Sequence, residues 1–244
     1  MVNFGPHLTV NNALVDALRR IPEHLYPPRC RLCGDRGSAG LDLCAECHLE
    51  LPWNEAGCPR CALPGAAGTC PCRRRELPFE RAVAPLVYDG PVAQLMGAFK
   101  FRGRLADGRL LGQLLARALG ERRGSAPYPA LVPIPLHRRR LRERGFDQNA
   151  ELARALRAEL GTLPIRRCLA RARSDRRQAE LPLSQRRLYI QGAFTVTGSG
   201  PPRRVALLDD VVTSGATAEE AARALRAASA ERVELWAVAR TPRP

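Results

Sequence analysis

The chain has 244 residues, of which 45% are hydrophobic and 26% charged. That is enough to fold around a full core of one or two domains, and it excludes a disordered chain. No apolar run is long enough to span a bilayer, and the first 20 residues lack the basic start and unbroken apolar core of a signal peptide.

A cytoplasmic protein with reduced cysteines is therefore expected. The net charge is +15 and is unevenly placed: −1 through Cys72 and +16 from Arg73 onward. Such a field draws polyanions, a diphosphate or a nucleic-acid backbone, unless it is only a solvated basic surface. Lys100 is the only lysine; the other 38 cations are arginine.

In chain order, residues 14–25 have the pattern of a short amphipathic helix. Eight of the nine cysteines follow, between Cys30 and Cys72. They pair as Cys30-x-x-Cys33, Cys44-x-x-Cys47, Cys58-x-x-Cys61 and Cys70-x-Cys72. Two such knuckles bring four thiolates around one tetrahedral ion, so eight suit two structural Zn²⁺ ions. A disulfide framework fits poorly with a chain lacking a secretion signal. Sequential sites are expected, Cys30/Cys33/Cys44/Cys47 and Cys58/Cys61/Cys70/Cys72, although spacing also allows the interleaved pairing. His48 is a neighbouring alternative ligand. Cys168 stands alone and reads as a strand residue.

Residues 83–103 read as a strand, an Asp89-Gly90 turn and a helix opening at Pro91. Lys100 falls at the end of that helix, where a cation complements the dipole or serves a site. Residues 131–135 form a short apolar strand. Five arginines follow in seven residues: Arg138, Arg139, Arg140, Arg142 and Arg144. Guanidinium forks bind a diphosphate bidentately. Helical periodicity runs over 146–160, with Asp147 placed to cap it. Residues 163–170 and 192–196 read as strands around a long basic excursion, which is either a lid or a solvated loop.

The most informative stretch is 205–217, VALLDDVVTSGAT. Four apolar residues mark a buried strand that delivers Asp209 and Asp210 to its end. Thr213, Ser214, Gly215, Ala216 and Thr217 then lead onto a helix from Ala218. A small-residue loop at a helix N-terminus suits a phosphate, and two carboxylates suit vicinal ribose hydroxyls. No Walker A loop, no G-x-G-x-x-G after a strand and no Ser-His-Asp constellation is present.

This stretch resembles the PRPP-binding motif of type I phosphoribosyltransferases, in which the acid pair contacts the ribose hydroxyls and the loop holds the 5′-phosphate. With the cysteine module ahead of it, the chain resembles the ComF (ComFC) family of competence proteins. The likeness runs from Pro27 to the C-terminus. It includes Phe99-Lys100-Phe101-Arg102-Gly103 and the segment from Val132 through Gln148.

The resemblance implies an α/β fold: a mostly parallel sheet flanked by helices, preceded by a small zinc-ribbon domain. The expected boundaries are 1–24 for the N-terminal helix, 25–78 for the ribbon and 79–244 for the phosphoribosyltransferase-like domain. Ligands would bind at the carboxyl ends of the strands. The resemblance also implies PRPP with Mg²⁺, a pyrophosphate loop carrying Arg138, Arg140 and Arg144, and a flexible loop carrying Arg171, Arg173, Gln178 and Arg186. Two positions depart from the family pattern: Asp147 and Tyr189 stand where Asn is usual.

The role implied is the handling of incoming single-stranded DNA, with competence-machinery proteins as partners. The alternatives are an active transferase acting on an amine or nucleobase, and a PRPP-sensing regulator. With only 5% aromatic residues, binding of DNA is expected to rest on backbone phosphate rather than stacking.

Overall fold

The computed structural model describes residues 27–66, 68, 70–123, 129–171 and 190–242. The expected helix at 14–25 and the loop residues Arg173, Gln178 and Arg186 lie outside them. Two compact units divide the chain, 1–50 and 51–244. In the first, a knuckle turn precedes the short helix α1 (Ala45–Leu49). Buried Leu41 and Leu43 are the main apolar filling there.

The second unit is built on a parallel sheet. Its strands are β1 (Arg81–Val83), β2 (Leu86–Val87), β3 (Ala130–Pro133), β6 (Arg204–Val212) and β7 (Arg232–Arg240). The spatial order is β1-β7-β6-β3, with β2 also paired to β7, and every pairing is parallel. A separate antiparallel pair, β4 (Leu169–Arg171) and β5 (Phe194–Val196), brackets the long excursion read from sequence. Val205, Ala206, Leu207 and Leu208 are all fully buried. That is why the β6 sequence is a continuous apolar run rather than an alternating one: helices cover both of its faces.

Helices α2 (Gly90–Arg102), α3 (Leu105–Arg123) and α5 (Gln148–Leu160) cover one face of the sheet. Helix α6 (Ala216–Ala227) covers the other, together with β5. Asp89 caps α2 by accepting from the Gly90 N–H at 2.8 Å, with Pro91 in its first turn. Asp147 caps α5 through the Asn149 and Ala150 N–H groups, at 2.9 and 3.2 Å. Asp and Asn are equivalent N-caps, so Asp147 keeps the structural role that an Asn would have here. Helices α3 and α5 pack closely because Gly112 has no side chain; a Cβ there would stand 2.5 Å from that of Ala155.

The edge at β2 is covered by the segment that opens this unit. Trp53 bridges to Leu86, and the Val87 N–H donates to the Pro52 carbonyl at 2.8 Å. An edge covered in this way cannot recruit another strand. The arginine cluster forms a short helix, α4 (Arg138–Arg144), rather than an open loop; His137 caps it and Gly145 ends it.

Candidate functional site

Two cysteine clusters are formed, Cys30/Cys33/Cys44/Cys47 and Cys58/Cys61/Cys70/Cys72, each with its sulfurs within 4.8 Å of one another. The sequential pairing is therefore the one adopted, and His48 belongs to neither group. The sulfur separations are 3.6 Å for Cys33–Cys44, 3.5 Å for Cys58–Cys72 and 3.4 Å for Cys61–Cys70. A tetrahedron of Zn–S bonds of about 2.3 Å has edges of about 3.8 Å, so the thiols already stand close to zinc geometry.

Without a cation such thiols compete for protons. Burial, aided by the Cys70 thiol, pushes Cys61 up to about 11. Burial also raises Cys72, and the Cys44 side chain raises Cys47. A dication relieves this conflict by favouring four thiolates. With four sulfur ligands each, the centres are structural. The second is tied to the sheet: Asn54 Nδ2 donates to the Ala62 and Ala84 carbonyls at 2.8 and 3.0 Å, and the Ala82 N–H to Pro59 O at 3.2 Å.

The cleft lies at the carboxyl ends of β3 and β6. These are neighbouring strands whose following helices, α5 and α6, leave to opposite faces, which makes this the switch point where α/β sheets bind ligands. Its volume is about 290 Å³. It brings together Lys100, Arg140, Arg144, Arg171, Asp209, Asp210, Thr213, Ser214 and Thr217. Arg138 does not line it. Residues 140 and 144 are four apart and share one face of α4, whereas Arg138 is 200° round from Arg140 and is exposed.

Asp210 is held on every side. Its Oδ1 meets Lys100 Nζ at 2.7 Å and accepts from the Val211 N–H at 2.6 Å. Its Oδ2 accepts from Gln148 Nε2 at 2.9 Å, and Arg144 donates in turn to Gln148 Oε1 at 2.6 Å. The one lysine thus reaches the acid pair from the last turn of α2.

Asp209 is differently placed. Its Oδ1 accepts from Asn149 Nδ2 at 3.3 Å and from the Asp210 N–H at 3.0 Å. Its Oδ2 accepts no hydrogen bond among the described residues. Loss of water, then the like charge of Asp210, push its carboxyl up to about 7, against the opposing pull of Lys100 and Asn149. Asn149 is 2% exposed, and its Oδ1 also receives no donor among the described residues. The cleft therefore presents one open carboxylate acceptor, Asp209 Oδ2, suited to a hydroxyl donor, while Asn149 Oδ1 is sealed from it.

Thr213, Ser214 and Gly215 turn the chain from β6 into α6. Gly215 takes φ +82° and provides no side-chain cap. A Cβ at that φ is strained. Ser214 Oγ accepts from the Ala216 N–H at 3.4 Å, and the first turn also carries Thr217 and the acid Glu219. The N-cap residue itself offers no side-chain oxygen, so first-turn N–H groups beyond that of Ala216 can meet an external anion.

Three contributors were not legible as site residues. Gln148 and Asn149 are amides in the first turn of α5, and their signal is that they sit where its apolar face begins. Arg240 ends β7, 6% exposed. It donates to Val212 O at 2.7 Å and also to Thr213 O, fixing the backbone that enters the loop. It shares a face of β7 with buried Trp236 and Val238, a charge in a buried register.

Comparison with known proteins agrees with this layout. A family model described as a double zinc ribbon domain matches residues 21–76. The DNA utilization protein YhgH of Escherichia coli O157:H7 is 30% identical over 222 residues, covering 88% of this chain and 98% of its own. Competence protein F of Haemophilus influenzae is 29% identical over 203 residues, 81% of this chain and 84% of its own. Competence protein ComFC of Streptococcus pneumoniae is 26% identical over 235 residues, 87% of this chain and all of its own. With its paired Cys₄ centres, its parallel sheet and this extent of similarity, the chain belongs to the ComF (ComFC/YhgH) family.

Proposed function

We propose that the cleft binds PRPP as its magnesium complex and that the protein acts in the handling of DNA, the role named for its relatives. The observation that carries the first half is the meeting, in one cleft, of the Asp209/Asp210 pair, a helix N-terminus opened by Gly215 behind residues 213–217, and Arg140 with Arg144. The 5′-phosphate would sit on the 213–217 loop. The ribose hydroxyls would donate to Asp209 Oδ2. The diphosphate would lie toward Arg140, Arg144 and Arg171. Arg173, Gln178 and Arg186 belong to the same proposed loop but lie outside the described residues.

The donor set suits Mg²⁺, a hard cation that is held by one or two carboxylates and substrate phosphates. Asp209 is the carboxylate with an open oxygen, since Lys100 and Gln148 already hold Asp210. The ion would neutralise the diphosphate. Asp209 and Asp210 then position ribose rather than attack it. Lys100 and Arg144 add fixed positive charge where the leaving diphosphate gathers its own.

Pyrophosphate release from PRPP and Mg²⁺, with and without amines, nucleobases or single-stranded DNA, tests whether this ligand reacts. Acceptor-dependent release that is lost in Asp209→Asn/Asp210→Asn would make the protein a transferase. Saturable binding with no release would make PRPP a ligand of the DNA-handling role. Absence of both binding and release would refute the assignment.

A further inference from the structure

A lone exposed phenylalanine carries no signal by itself. Phe101 is different in its surroundings. Residues 99, 100 and 101 follow one another at 100° around the last turn of α2. Phe99 is fully buried and packs on Phe146 in a tilted arrangement, ring centres 5.3 Å apart, and Lys100 enters the cleft. Phe101 is left 79% exposed. The guanidinium of the cleft residue Arg144 lies 5.5 Å from its ring centre, so the ring stands at the cleft rim with most of its surface in water. Arg102 next to Phe101 in the chain, and Arg138 and Arg142 on the side of α4 opposite Arg140 and Arg144, are exposed and make no ion pair with a described residue.

We infer that this rim binds single-stranded DNA, with one base stacked on Phe101 and the backbone phosphates met by Arg102, Arg138 and Arg142. The chemistry fits one occupant. A flat aromatic face at a helix end, with exposed unpaired arginines along α2 and α4 for the flanking phosphates, suits an unstacked base on a polyanionic chain. A duplex keeps its bases stacked and would use the arginines alone. This departs from the expectation of phosphate-only binding drawn from the low aromatic content, because a single exposed ring can take one base. It rests on the DNA half of the proposed function and is independent of the PRPP half.

The test is fluorescence anisotropy of a labelled oligothymidylate with the zinc-loaded full chain, over a salt series. Phe101→Ala should weaken binding about tenfold, within the range for one lost base stack. Phe101→Leu should weaken it nearly as much despite its apolar bulk, and Phe101→Trp should restore it. The salt slope should stay unchanged in all three. Arg102→Ser with Arg142→Ser should instead flatten the slope by about 1.4, two phosphate contacts at about 0.7 each. Duplex binding and PRPP binding should ignore position 101.

Wild-type affinity in Phe101→Ala, or an equal loss for duplex, would overturn the stacking site while leaving the proposed function standing. No binding of the strand by the wild type would overturn both this inference and the DNA-handling role, and would leave the PRPP cleft untouched. Matching denaturation curves for the variants confirm that the loss is local.

Discussion

Asp209→Asn is the substitution whose consequence the cleft geometry specifies most fully. The folded chain holds this carboxyl up to about 7, whereas an unfolded Asp titrates near ~3.9. Between about pH 4 and pH 7 the folded state therefore keeps a proton that the unfolded state has released. Stability falls as pH rises through that window, by about 1.4 kcal/mol per pH unit, for a total on the order of 4 kcal/mol above pH 7. An asparagine carries no such titration. Its Oδ1 can still accept from Asn149 Nδ2, so the local geometry has no reason to change.

The variant should exceed the wild type in stability, and its advantage should grow by about 2–3 kcal/mol between pH 5 and pH 8. Urea denaturation of both zinc-loaded proteins at fixed ionic strength reads this directly. Working above pH 5 keeps the cysteine ligands metallated. Stability curves that run parallel across the window would refute the argument, because they would show that Asp209 ionises in the fold as it does in water. A gain in stability with loss of ligand affinity is the pattern of a site held in a conformation that suits its ligand.

Other outcomes follow from single contacts. Arg240→Leu removes a buried guanidinium from two loop carbonyls; it should destabilise the fold by about 2–4 kcal/mol and weaken PRPP binding through the 5′-phosphate loop, read by denaturation and calorimetry. Gly215→Ala forces a side chain into φ +82° at about 1–2 kcal/mol, and should reduce phosphate affinity more than it shifts the unfolding midpoint. Metal analysis should give close to two zinc ions per chain, falling to about one in Cys30→Ser or Cys58→Ser. The second of these should also lower the stability of the sheet, since Asn54 and Pro59 join that centre to β1 and its neighbours; a circular-dichroism melt separates the two. Lys100→Met leaves Asp210 without its cation and should weaken diphosphate binding at a given Mg²⁺ concentration, measured by titration at several Mg²⁺ levels.

Much of this was legible in the chain itself, and the reason is local chemistry. The run at 205–208 announced a buried strand, Asp89 and Asp147 announced helix starts, and the cysteine knuckles announced two four-thiolate centres, though only the structure decides which knuckles pair. What could not be read depends on long-range placement. The Lys100–Asp210 ion pair joins residues 110 positions apart, and nothing near residue 100 states which cleft its helix end will face. Gln148 and Asn149 gain their roles because α5 begins beside β6, and Arg240 because β7 ends beside the loop. Arg138 shows the converse. The arginine-rich composition of 138–144 was plain, but only helix α4 decides which two of its guanidinium groups turn into the cleft.

The central claim is that the β3–β6 cleft is a PRPP site organised by its acid pair. Calorimetric titration of PRPP with Mg²⁺ into the wild type and into Asp209→Asn/Asp210→Asn tests it most directly. The expected result is saturable binding of one ligand per chain by the wild type, abolished in a double variant that melts cooperatively. Equal affinity in the two proteins, or no heat in either, would contradict it.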